Sequence, residues 1–177
     1  MGSGGAAWGE VRAAAPLAPM LHFILASTMT LGMEIHDSRL LDLICNPDGT
    51  GHILFDAYIY RSEGVVFKDA QESGWQDFRL IFEGMRIEGG LVAPGEYASE
   101  GELWINGRNE NGVILIPSDH AGDICLELVL SPLFGTLKIF GSRIRSQLEG
   151  PWSLEAIWDV DGNVTQPGLL TKPPDRK

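Results

Sequence analysis

Hydrophobic and polar residues alternate with a period of two along most of the chain beyond residue 33. In residues 52–61, Ile53, Phe55, Ala57 and Ile59 share one face, while Leu54, Asp56, Tyr58 and Tyr60 share the other. That is the signature of a half-buried strand. Residues 75–83 repeat it, with Phe78, Leu80 and Phe82 opposed to Asp77, Arg79, Ile81 and Glu83. Further strands are predicted over 39–46, 102–106, 113–116, 124–130, 137–147 and 152–158.

Turn residues separate these runs. Asn46-Pro47-Asp48-Gly49 lies between the first two and predicts a hairpin, because Pro presets φ and Gly accepts a positive φ. Gly84 predicts a bulge or bend. Residues 107–112 read as a polar loop joining 102–106 to 113–116. Pro117 and Gly122 break the chain again, and residues 131–135 link 124–130 to 137–147. Helix is excluded over 38–44, where Asn46-Pro47 follows too soon, and over 70–82, where Ser73-Gly74 precedes a switch to period two. Strands at such spacings predict an all-β protein, an antiparallel β-sandwich or flattened barrel of about ten strands with little helix. Glycine, at 22 of 177 residues, agrees with so many turns.

Three regions are expected. Residues 1–32 form a flexible or loosely packed leader, broken by Pro16 and Pro19 and carrying a short apolar run at 20–26. That run is too short to span a bilayer, which takes about 20 apolar residues. Residues 33–158 form the β domain, and Met33 offers an alternative start. Residues 159–177 are a polar tail.

Composition narrows the functional classes. A hydrophobic share of 44% and a charged share of 21% describe one globular domain. The net charge of −11 repels phosphate backbones and anionic membranes, so neither nucleic acid nor membrane is an expected partner. Cys45 and Cys125 are too few for a disulfide framework, lack zinc-site spacing and read as buried small hydrophobes. No cofactor-binding glycine loop is present.

Candidate chemistry is sparse. His36-Asp37 pairs an imidazole with a carboxylate, but neighbours in a regular strand point to opposite faces, and a turn with Asp37 on nearby backbone N–H groups is the simpler reading. Ser118-Asp119-His120 holds the residue types of a hydrolase triad, but consecutively and without a nucleophile elbow, so it reads as a loop. Asp159-Val160-Asp161-Gly162-Asn163 opens like a calcium loop, but Val164 and Leu170 stand where Gly and Glu are needed. Tyr58, Tyr60, Trp75, Trp104 and Trp158 are candidates for an exposed aromatic face.

The segment from Met33 to Leu41, with its His36-Asp37-Ser38-Arg39-Leu40 core, is similar to openings of small uncharacterised bacterial all-β families, some of them immunity proteins of polymorphic toxin systems. Residues 75–84 resemble an apolar segment of the same families. The resemblance implies a cytoplasmic binding protein without catalysis. The first expectation is therefore a non-enzymatic acidic protein, a monomer or homodimer, that binds a basic protein partner. Its candidate contacts are Glu96, Glu100 and Glu102, with residues 109–111. The second is a carbohydrate- or small-ligand-binding protein using Tyr58, Tyr60 and Trp104. The third is a hydrolase or metal-dependent enzyme centred on His36, Asp37 and His120.

Overall fold

Turn chemistry sets the first hairpin. The Asn46 amide donates to Thr50 O at 2.8 Å, and Asp48 Oδ1 accepts from the Thr50 amide at 2.9 Å and its hydroxyl at 2.7 Å. Gly49 supplies the positive φ, 80°. This turn joins β1 (Thr30–Cys45) to β2 (Gly51–Ser62), which pair antiparallel as expected. The computed structural model describes residues 29–64, 69–90, 94–130, 135–159 and 161–167, and among them there is no helix. The remaining strands are β3 (Ala70–Glu83), β4 (Arg86–Gly89), β5 (Ala98–Ile105), β6 (Arg108–Asn109), β7 (Val113–Ile116), β8 (Asp119–Leu130), β9 (Thr136–Trp158) and β10 (Val164–Pro167).

All ten strands belong to one antiparallel sheet, ordered β6-β5-β8-β9-β3-β2-β1-β7, with β4 and β10 added on β9. The predicted all-β class and strand number are observed. The strands form one sheet that is not closed into a barrel. It curls, so that β1 and β5, far apart in that order, lie side by side. There the Leu40 amide donates to Glu96 O at 2.8 Å and the Gly95 amide to Leu40 O at 2.7 Å, beside one bridge between Arg39 and Tyr97.

The period-two faces become the inside of this curl. Ile53, Phe55, Ala57 and Ile59 of β2 are buried, as are Phe78, Leu80 and Phe82 of β3 and Ile124, Leu126 and Leu128 of β8. Burying a side chain of this size contributes about 1.5–3 kcal/mol each.

Four features differ from the sequence reading. Residues 102–106 and 113–116 do not pair: β7 lies against β1, from Leu31 opposite Ile116 to Glu34 opposite Val113. The reason is a two-residue turn at Asn106-Gly107, with φ of 52° and 78°, that folds β6 back on β5. A second such turn at Asn111-Gly112, with φ of 56° and 73°, redirects the chain to β1. Thus the two outer strands of the sheet, β6 and β7, are consecutive in the chain. Secondly, the sheet begins before Met33, since Thr30, Leu31 and Gly32 pair with Ser62, Arg61 and Tyr60. Thirdly, residues 137–147 and 152–158 form one long strand, β9, bent by register shifts against β3. Fourthly, part of the polar tail is a strand, because Asp159 organises the turn that returns β10 to β9.

Close approach of β1 to β5 depends on Gly101. A Cβ at this position would overlap Cγ2 of Ile35, whose side chain is fully buried. Gly101→Ala is expected to destabilise the protein by about 1–3 kcal/mol. Ile35→Ala is expected to cost about 2–5 kcal/mol alone. Because it removes the overlapping methyl, the double variant should cost less than the two single changes together, as read by urea unfolding.

Candidate functional site

The site begins with an interruption of β1. Glu34 lies opposite Tyr58 and Arg39 opposite Asp56, so the four residues 35–38 stand against Ala57 alone. The excess is absorbed by a bulge in which Asp37 takes a left-handed φ of 64°. Ser38, fully buried, repairs the ladder with its side chain. Its hydroxyl donates to Glu34 O at 2.6 Å and accepts from the Tyr58 amide at 3.4 Å. The bulge overturns the strand rule for residues 36 and 37: His36 Nδ1 lies 2.9 Å from Asp37 Oδ2, with the side chains 54% and 73% exposed.

Because Ile35 and Gly101 face inward, alternation sends their neighbours outward. Glu34 and His36 therefore line the same cleft as Glu100 and Glu102, joined by Glu127 of β8 and by Asn109 and Asn111. Its volume is about 570 Å³. Glu102 is directly opposite Glu127 in the β5–β8 ladder, a repulsive pairing. Lys138, opposite Glu127 on β9, relieves it with a 2.8 Å ion pair that also holds the Lys138 ammonium above its ordinary pKa.

Charge is distributed unevenly. Among the described residues every arginine and lysine is committed to an ion pair: Arg39 with Asp56, Arg61 with Glu72, Arg79 with Glu149, Arg86 with Glu88, Arg108 with Glu110, Lys138 with Glu127, Arg143 with Asp119 and Arg145 with Glu83. In the cleft, Glu34 accepts from Tyr60 Oη at 3.1 Å and Glu102 from Trp104 Nε1 at 3.1 Å. These donors are neutral. Glu34, Glu100 and Glu102 thus face the same opening without a basic side chain of their own.

Of the predicted site residues, His36, Glu100 and Glu102 are brought together in this cleft with Asn109 and Asn111 of the predicted 109–111 contact, and Asp37 sits at its bulge. Glu96 lies at the end of the β1–β5 contact, where its backbone carbonyl accepts from Leu40. Tyr58 and Tyr60 pack edge-on, ring centres 5.2 Å apart, and Trp75 lies 5.0 Å from Tyr58. Their polar ends turn to protein partners: Tyr58 Oη to Ser73 Oγ at 2.9 Å, and Trp75 Nε1 to Glu155 at 2.6 Å. Burial, then the neighbouring Glu34, pushes the Tyr60 phenol far up. The rings form a secondary packed layer outside the sheet. Trp104 is 36% exposed.

His120 is not brought to His36 and Asp37, a correction to the proposed catalytic centre. On β8 it lies seven residues from Glu127 (127 − 120 = 7), a rise of roughly 20 Å along a strand. The neighbouring Asp119 is held by both Arg143 nitrogens at 2.9 Å, which keeps its carboxyl below the usual range, and Ser118 is buried against Ser146. Rather than lying in a loop, Asp119 and His120 start β8, directly after Ser118. Among the described residues no three His, Cys, Asp or Glu side chains are placed to hold a metal ion. Asp159 turns its carboxylate onto the amides of Asp161 and Asn163, at 2.9 and 2.8 Å, instead of outward to a cation. Cys45 and Cys125 are both free thiols, and Cys45, expected to be buried, is exposed at the end of β1.

Sequence reasoning missed Glu34 and Glu127. Glu34 carried a usable signal, since it lies two residues from His36 on the same strand face. Glu127 carried none before the β5–β8 register was known. No family model matches the chain, and neither a curated protein nor a solved structure matches it. No helix among the described residues is long and apolar enough to cross a membrane.

One ion pair beside the curl yields a pH expectation. Arg79 binds Glu149 through two bonds, of 2.6 and 3.0 Å, and the hydrogen bonds hold the Glu149 carboxyl below its ordinary value. A carboxylate depressed by folding stabilises at neutral pH and loses that contribution as pH falls through its folded pKa. Glu149→Gln should therefore cost up to about 1 kcal/mol at neutral pH. It should also make the loss of stability below pH ~4 shallower, as read from urea midpoints across the acid range.

Proposed function

We propose that this chain is a non-enzymatic acidic binding protein that docks a basic protein partner over the cleft between β1 and β5. The observation that carries the reading is the set of Glu34, Glu100 and Glu102 around one opening, in a protein whose described arginines and lysines are all paired with other carboxylates. Surplus negative charge of this kind attracts a cationic surface at long range and speeds encounter. The net charge of −11 acts in the same direction. An immunity or inhibitor role in a bacterial cytoplasm is the form of this reading that the resemblance of residues 33–41 supports. There, the acidic cleft would cover a basic surface of a toxin.

The carbohydrate reading has weaker support, because the Tyr58, Tyr60 and Trp75 rings pack on one another edge-on and use their polar ends internally. A ring face open to a sugar is what that reading requires.

A lysine-rich peptide serves as the probe. It is expected to perturb the amide resonances of Glu34, His36, Glu100 and Glu102. The triple variant Glu34→Gln, Glu100→Gln, Glu102→Gln should weaken its binding by about tenfold. A control triple of equal charge change, Glu63→Gln, Asp123→Asn, Asp161→Asn, should weaken it by much less. Equal weakening by the two triples would reduce the interaction to net charge and refute the cleft.

A further inference from the structure

We propose that the contact between β1 and β5 is a latch that opens without unfolding the rest of the sheet, and that charge across the cleft sets how often it opens. The inference is independent of any partner.

Elsewhere the curled sheet is held by ladders of many residue pairs, interrupted in places by bulges. β2 and β3 remain in register from Gly51 opposite Phe82 to Arg61 opposite Glu72, and β2 also carries β1 along its other edge. The β1–β5 contact has no such ladder. Its backbone support is the single bridge of Arg39 with Tyr97 and two bonds between Leu40 and the segment 95–96. Beyond that end β1 bulges, and the strands meet through the Ile35 side chain on the backbone of Gly101. Segments with few backbone bonds open below the free energy of global unfolding.

Like charges lie on both sides of this joint. Glu34 stands on β1, and Glu100 and Glu102 stand on β5, all on the outer face that alternation leaves beside Ile35 and Gly101. His36 and Asp37 add a close pair on the β1 side, while Glu127 on the β8 side is occupied by Lys138. Repulsion between the β1 and β5 carboxylates is relieved when the strands separate. It therefore favours the open form, and salt screens it. Apolar packing of Ile35, Leu40 and Leu103 in the common core opposes opening. A closed majority with a minor open population follows from that opposition.

Opening would release the amides of Leu40 and Gly95 while those of Ile53 and Leu80, in the centre of the sheet, stay bonded. Site-resolved hydrogen exchange on the full chain tests this. At low salt the two latch amides are expected to exchange at least about tenfold faster than Ile53 and Leu80 after correction for intrinsic rates. Raising the salt to about 0.5 M should slow them about two- to threefold relative to those two references. The double variant Glu100→Gln, Glu102→Gln should do the same at low salt. Latch amides exchanging in step with Ile53 and Leu80 would show that the contact opens only with the whole fold. A ratio indifferent to both salt and the double variant would remove charge as its control. Either result overturns the proposal.

Discussion

The side chain of Ile35 resting on the bare backbone of Gly101 is the contact on which the shape of this protein depends. The sheet is open, and its curl brings strands far apart in the hydrogen-bonding order to within packing distance. A glycine leaves room for a neighbouring side chain where a Cβ would stand. One methyl group from the other end of the sheet takes that place, which lets the core close across a gap that has no ladder. The chain reinforces the arrangement covalently, because the two outer strands are linked by one tight turn at residues 110–112.

That contact also makes the cleft. Strand alternation is rigid: with Ile35 and Gly101 inward, Glu34, His36, Glu100 and Glu102 have only the outer face. Hydrophobic packing inside thus imposes like-charge proximity outside. The bulge at residues 35–38 adds a left-handed Asp37 and turns the adjacent His36 and Asp37 onto each other. Ser38 keeps this from exposing a ladder gap, since its hydroxyl substitutes for a strand partner. A local irregularity is tolerated because one buried side chain completes the hydrogen bonding around it.

The basic residues follow a different logic. Arg79, Arg143, Arg145 and Lys138 each meet an acid on an adjacent strand, so the sheet's outer surface is laced by cross-strand pairs. Pairs as exposed as these contribute little stability individually. Their larger effect is to leave Glu34, Glu100 and Glu102 without a basic partner among the described residues, while Lys138 offsets Glu127 alone.

Local patterning made the strands legible: the inward sets in β2, β3 and β8 are those that period two predicts, and the turn at residues 46–49 behaves as Pro, Asp and Gly require. Half of the candidate site was legible as well, since His36 stands beside a carboxylate and Glu100 and Glu102 belong to an acidic stretch around residues 96–102. Which strands pair was not legible. β7 joins β1 rather than β5 because two Asn-Gly turns in succession redirect it, and the benefit of that redirection appears only when β1 is there to receive it. Nor did spacing reveal that Glu34 and Glu102, 68 residues apart (102 − 34 = 68), share one opening, or that His120 belongs to a different part of β8. Alternation is a property of neighbouring residues and is written in the chain. Proximity between distant strands is decided by core packing, and here by where a glycine makes room for an isoleucine.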